Sequence, residues 1–91
     1  MKFYHNTKKS NLESILKNGL LIKYDEYKHG RMHLSPKPFA FTYPQENEVI
    51  LEIEIKNVRE LTCFEKNEEW EVFCHRDIEP KDIQVFHRGM Y

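Results

Sequence analysis

The chain has few cysteines, no long apolar run and no excess of charge of either sign. Its 91 residues include two cysteines, which excludes the dense disulfide framework of a small secreted scaffold. No apolar stretch approaches the length that crosses a bilayer. The segment from Met1 to His5 also lacks the apolar core of a signal peptide. We therefore expect a protein of the reducing cytoplasm without membrane association.

Positive and negative charges nearly cancel over the whole chain. Fourteen lysines and arginines face fifteen aspartates and glutamates, for a net charge of -1. This balance provides no electrostatic footprint for a nucleic-acid backbone or an anionic membrane, and it favours a protein partner or a small ligand. Aromatic residues make up 13% of the chain, more than a disordered segment carries. We expect one folded domain over residues 1–91.

A short helix is the clearest element in the first third of the chain. Apolar residues recur at helical spacing, which predicts a helix over residues 11–18. Ser10 and Glu13 have the spacing of a capping box at its start. Gly19 follows the helix and predicts a left-handed stop.

Alternation of apolar and polar residues predicts the strands. The predicted strands cover residues 2–5, 31–35, 48–55, 70–74 and 83–86. The segments between them predict a loop at 23–30, a single helical turn at 39–41 and a turn at 79–82. One helix followed by four or five strands with non-helical connections predicts an α+β domain with a mostly antiparallel sheet.

Four segments of the chain carry a resemblance to a known family. They are FYHNTKKSNLESILKNGL, RMHLSP, EVILEIEI and EWEVFCHRDIEPKDIQVF. In this order they resemble the ADP-ribosyltransferase fold and cover most of the chain. The front half is most similar to the RNA 2′-phosphotransferases, which use NAD to remove an RNA 2′-phosphate. The end is more similar to bacterial mono-ADP-ribosyltransferases that modify nucleic acid or protein. The resemblance implies NAD as cosubstrate and a macromolecular acceptor, either protein or nucleic acid.

Glu71 is the residue that the resemblance implies as catalytic. ADP-ribosyl transfer passes through an oxocarbenium-like ribose, and a nearby carboxylate can stabilise its charge and deprotonate the acceptor. If Trp70 and Val72 pack into the core, strand alternation turns Glu71 towards a cleft or solvent. Glu69 is the alternative carboxylate, because a shift of two residues keeps the same face. A solvated strand carboxylate without function is the other alternative.

The first strand supplies two candidate NAD contacts. By resemblance, His5 contacts the adenosine ribose of NAD, and a neutral imidazole suits a ribose diol because it both donates and accepts. Thr7 points to the same side and could hydrogen-bond the adenosine moiety. A histidine satisfied within the fold and a threonine in the turn before the helix are the structural alternatives.

The middle of the chain supplies four further candidate NAD contacts. Ser35 corresponds to the position where the family holds nicotinamide or braces the catalytic carboxylate, and His33 to a histidine of the RNA 2′-phosphotransferases. Arg31 could pair with a pyrophosphate oxygen, with an exposed strand-edge arginine as the alternative. Tyr43 or Phe39 could stack on nicotinamide, and either could equally be a core or rim residue.

We expect no metal, because Cys63 and Cys74 lack the C-x-x-C spacing of a structural zinc site. The first functional hypothesis is an NAD-dependent mono-ADP-ribosyltransferase acting on a cytosolic macromolecule. The second is an NAD-dependent RNA 2′-phosphotransferase. Two departures weigh against it: Glu71 replaces an apolar residue of that branch, and its arginine after HLSP has no clear counterpart. The third is a non-catalytic binding or inhibitor protein on the same fold.

Overall fold

The computed structural model describes residues 1–22, 32–37 and 47–88. These ranges contain one α-helix and six strands, arranged in two three-stranded antiparallel sheets. The helix α1 is Leu12–Asn18, and the strands are β1 (Lys2–Lys8), β2 (Met32–Leu34), β3 (Glu48–Glu54), β4 (Phe64–Glu68), β5 (Glu71–Cys74) and β6 (Ile83–Arg88). The predicted α+β class and the antiparallel pairing are confirmed, whereas six strands in two sheets replace the single sheet of four or five strands that was expected.

The first sheet has the order β1-β3-β6, with the most apolar strand in its centre. Val49, Leu51 and Ile53 are completely buried and belong to the main core cluster. Ile50 is also completely buried although it points to the opposite face. Strand β3 is central in its sheet and buried on both faces. Burial selects apolar residues along the strand, and this made β3 easy to predict.

The second sheet has the order β2-β5-β4 and turns one face to the same core. Met32, Leu34, Val72 and Cys74 pack in the cluster that also holds the apolar residues of β3. The opposite face of this sheet carries His33 and Phe73, which are register partners on β2 and β5, and Glu71. The cores of the two sheets are therefore continuous, while the outer face of the second sheet carries His33 and Glu71 beside the buried ring of Phe73.

The two sheets are joined at one isolated backbone bridge. The Tyr4 amide donates to the Ser35 carbonyl over 2.7 Å, and the Ser35 amide donates back to the Tyr4 carbonyl over 2.9 Å. A second isolated bridge, between Leu20 and Ile78, ties the segment after the helix to the segment before β6. The first bridge fixes the edge of β1 against the end of β2.

Of the two residues whose packing into the core would turn Glu71 outwards, Val72 lies in the core but Trp70 does not. Its residue surface is 48% exposed, because the chain reverses at Glu69 and Trp70 before β5 begins. The alternation that starts at Glu71 therefore does not extend to the tryptophan. Strand β4, on the other side of this turn, was not predicted. Its last four side chains are all exposed, so as an edge strand it shows no apolar alternation.

The predicted capping box of Ser10 and Glu13 is also wrong. One turn of 3-10 helix over Lys9–Asn11 precedes α1, so the cap position falls on Asn11, whose side chain makes no capping bond. The predicted stop at Gly19 is confirmed by its φ of 88°. The remaining sequence boundaries agree to within a few residues. Arg31 and the predicted loop and helical turn at 23–30 and 39–41 lie outside the described residues.

Gly19 allows the chain to pass very close to another segment. A β-carbon at this position would overlap the carbonyl oxygen of Ile78, which accepts the amide of Leu20 over 2.9 Å. The positive φ adds a second cost for any L-residue other than glycine. Both constraints act on the same bridge that closes the end of the helix.

Replacing Gly19 with alanine should therefore destabilise the fold. We expect the free energy of unfolding of Gly19→Ala to fall by about 2 kcal/mol or more, from backbone strain together with a displaced Ile78 carbonyl. Urea denaturation measures this value. Lys17→Ala, an exposed change in the last turn of the helix, is the control and should stay within about 0.5 kcal/mol of wild type. Equal stability of the two variants would contradict the assigned role.

Candidate active site

His5 lies immediately after the bridge that joins the two sheets. Its Nδ1 is 3.0 Å from the backbone carbonyl oxygen of His33. A carbonyl oxygen can only accept, so Nδ1 carries the hydrogen and donates it. The bridge between Tyr4 and Ser35 is isolated, and the ring of His5 provides a further link between β1 and β2. The side chain therefore helps to hold the two strands together.

The ring of His5 is kept neutral by its surroundings. It shares the core-facing side of β1 with Phe3, opposite Leu51 on β3. Burial lowers the pKa of His5 below its ordinary value of 6.5; the hydrogen bond to the His33 carbonyl opposes this shift, and the nearby His33 ring adds to it. With Nδ1–H donating to the carbonyl, the neutral ring has its lone pair on Nε2. That nitrogen can accept a hydrogen bond from a hydroxyl group.

Glu71 is held by two side chains from neighbouring strands. Its Oε2 is 2.9 Å from Nδ1 of His33 on β2, and its Oε1 accepts a hydrogen from Nδ2 of Asn67 on β4 over 2.7 Å. The side chain of Glu71 is only 12% exposed, against 35% for His33. These two hydrogen bonds, one to each oxygen, fix the orientation of the carboxylate.

Local irregularities of the strands place these partners. The register of β4 against β5 shifts between Lys66 and Glu68, so Asn67 is the extra residue of a bulge. On the other side, the ring of His33 packs edge-on against Phe73, with centroids 5.0 Å apart. The ring of His33 is thus held by an aromatic neighbour as well as by the carboxylate.

The structure links three predicted site residues: the ring of His5 contacts the backbone carbonyl of His33, and the ring of His33 contacts the carboxylate of Glu71. Ser35 is next to this group, because it bridges to Tyr4 beside His5. The β2–β5 register, continued by one residue, places Ser35 across from Glu71. Ser35 is almost completely buried. Its hydroxyl accepts a hydrogen bond from the amide of Lys37 over 3.2 Å, which closes the turn after β2.

Thr7 has a different environment from the other site candidates. Its hydroxyl accepts a long hydrogen bond of 3.4 Å from Asn11, where β1 leads into the helix. Arg31 and Tyr43, together with Phe39, lie outside the described residues. A role in NAD binding stays a prediction for each of these residues, as it does for the residues that the structure brings together.

Two residues of the site were missed in the sequence. Asn67 and Phe73 become visible only when residues 64–74 are recognised as a hairpin with its turn at Glu69 and Trp70. The cluster of polar and acidic residues before Trp70 was the available signal for this turn. The alternative carboxylate, Glu69, is exposed in this turn.

The cysteines are free thiols, and they are separate from the His5–His33–Glu71 group. Cys74 is buried, and burial raises the pKa of its thiol; its sulfur donates to the carbonyl of Arg76 over 3.3 Å.

In residues 1–22, 32–37 and 47–88, no three potential ligands come together as a metal site requires. The expectation of no metal stays a prediction. No helix of the described part has the length and apolar character to cross a membrane.

Comparisons with known proteins provide no family for the chain. No protein-family model matches it, and no curated protein matches it.

The neutral state of His5 predicts an acid-sensitive contribution to stability. Its pKa is lower in the folded protein than in the unfolded chain, so the unfolded state binds more protons between that value and 6.5. Stability should then fall as pH drops below 6.5 and stay unaffected by this group above it. We expect His5→Gln to lose less free energy of unfolding than wild type between about pH 7.5 and about pH 5.5.

Urea denaturation at the two pH values measures this difference, and an NMR titration of the His5 ring should give a midpoint below 6.5. His75→Gln is the control, because His75 is an exposed histidine beside Glu65 on the same hairpin region. His75→Gln should lose as much free energy of unfolding between the two pH values as the wild type does. An unchanged loss in His5→Gln would show that the ring of His5 is not responsible.

Proposed function

We propose that the chain is an NAD-dependent mono-ADP-ribosyltransferase with a small ADP-ribosyltransferase-like fold. The observation that carries this proposal is the contact of His5 with His33 and of His33 with Glu71, where the two sheets meet. These residues come from three strands that are far apart in the sequence. The resemblance of the sequence segments gives their chemistry a direction, since it implies a ribose-binding histidine and a catalytic carboxylate.

Glu71 is suited to the reaction at C1′ of the nicotinamide ribose. The C1′–nitrogen bond breaks, and its electron pair leaves with nicotinamide. A fixed carboxylate stabilises the positive charge that develops on the ribose without having to reorganise during the step. The acceptor then bonds to C1′, and its proton moves to the carboxylate. General-base assistance of this kind contributes about 10²–10⁴-fold.

His5 supplies the contact to the adenosine ribose in this proposal. Its Nδ1–H donates to the backbone of β2, so Nε2 is the ring nitrogen left to accept a hydrogen bond from the ribose hydroxyl. A ring kept neutral by burial is suited to this role, because an imidazolium has no lone pair to offer. In this proposal Ser35, Arg31 and Tyr43 supply further NAD contacts, and Thr7 hydrogen-bonds the adenosine moiety. The acceptor is a cytosolic protein or nucleic acid.

RNA 2′-phosphotransfer is the second candidate, and one observation favours it. His33, which corresponds to a histidine of that branch, lies within the site and contacts Glu71 directly. The carboxylate itself argues for ADP-ribosyl transfer, because it replaces an apolar residue of that branch. The two activities use the same cosubstrate and differ in the acceptor.

A labelling experiment tests the proposed function. The purified protein is incubated with NAD labelled in its adenylate part and with a cell lysate. We expect label on a macromolecule, and a decrease of about 10²–10⁴-fold in the rate for Glu71→Gln. Glu69→Gln is the matched control, because the same chemical change is made two residues away at an exposed turn position.

Three outcomes separate the alternatives. Equal loss in the two variants would remove Glu71 from its assigned role. Loss of phosphate from a 2′-phosphorylated RNA oligonucleotide in the presence of NAD, without labelling, would favour the second candidate. Absence of NAD binding by calorimetry together with absence of labelling would leave a non-catalytic binding protein.

A further inference from the structure

We propose that His33 is a positioning residue for the carboxylate of Glu71, instead of a direct NAD contact. This inference rests on the proposed function, because it assigns a role within the same reaction. It changes the role that the resemblance implies for His33.

His33 and Glu71 are diagonal neighbours on paired strands. His33 is the register partner of Phe73, and Glu71 lies two residues before Phe73 on the same face of β5. The distance of 2.9 Å between Nδ1 and Oε2 is that of a strong hydrogen bond to a charged acceptor. A carboxylate only accepts, so this contact selects the tautomer of His33 with its hydrogen on Nδ1.

The ring of His33 has restricted freedom to move. Phe73 packs edge-on against it at 5.0 Å, and the backbone of His33 is held by His5 through the carbonyl oxygen. The His5 contact uses the backbone, so a substitution at position 33 need not remove it. The side chain of His33 can therefore be tested with little effect on the position of His5.

Without the imidazole, Oε2 of Glu71 would lose its donor from β2. Asn67 donates to Oε1 from an exposed bulge position on the edge strand β4, so it leaves the other oxygen without the constraint from β2. Rotation of the carboxylate away from the reacting ribose carbon would lower the rate, since transition-state stabilisation depends on orientation. NAD binding would change little, because the lost contact is to Glu71.

The same region contains a matched imidazole–carboxylate pair. Nε2 of His75 lies 3.4 Å from Oε1 of Glu65, and both side chains are exposed. An exposed pair at this distance contributes little to the fixed geometry of either group. It provides a control in which one imidazole and one carboxylate lose contact outside the site.

The test measures kcat and KM for NAD in wild type and three variants. We expect His33→Leu to lower kcat by about ten- to a hundredfold with KM within about twofold, as for a lost hydrogen bond to a charged group. His33→Asn should recover most of kcat, because its amide donates from a similar position. His75→Leu should match wild type. A raised KM with unchanged kcat, or equal defects in the leucine and asparagine variants, would overturn the positioning role.

A second measurement needs no substrate. NMR of the ring nitrogens should find His33 with its hydrogen on Nδ1 in wild type, and Glu71→Ala should shift it towards the Nε2–H tautomer. The same tautomer of His33 in wild type and in Glu71→Ala would overturn the inference. The two proposals fail differently: absence of turnover in wild type ends the proposed function, whereas turnover that persists unchanged in His33→Leu ends only the role of His33.

Discussion

The two hydrogen bonds between Tyr4 and Ser35 determine how the candidate site is assembled. They join the edge of β1 to the end of β2 at a single point, over 2.7 and 2.9 Å. The bridge is isolated, and the ring of His5, one residue after Tyr4, makes a further hydrogen bond to the His33 carbonyl on β2. On its other edge, β2 pairs with β5, which carries Glu71. One backbone contact thus brings together side chains from strands that pair in different sheets.

The accuracy of the sequence predictions depended on how each element is buried. Strand β3 lies between two neighbours and buries both faces, so its apolar residues predicted it clearly. Strand β4 is an edge strand with exposed polar side chains and needed no such pattern. The capping box failed because Ser10 became part of a 3-10 turn, a local choice that spacing alone cannot decide. Trp70 is outside the core because it lies in the turn of the hairpin, and the strand alternation begins only at Glu71.

The site was only partly predictable for a related reason. His5 and Glu71 were found as single residues, through resemblance and strand alternation. The contact between His33 and Glu71 joins residues 38 positions apart and depends on the register of β2 against β5. The burial of Met32 and Leu34 determines the face of His33, but the residue that His33 meets on β5 depends on the pairing of two distant strands. The contact of Asn67 depends in turn on a bulge in β4.

The hydrogen bonds of Glu71 also connect the hairpin of β4 and β5 to the rest of the molecule. Strand β2 pairs with β5 over three residues, a short ladder for holding a hairpin whose outer strand and turn are exposed. The contact from His33 adds a side-chain link to this ladder, and the contact from Asn67 adds one within the hairpin. The orientation of the carboxylate and the placement of the hairpin are therefore not independent. Each is fixed by strands that Glu71 itself helps to hold together.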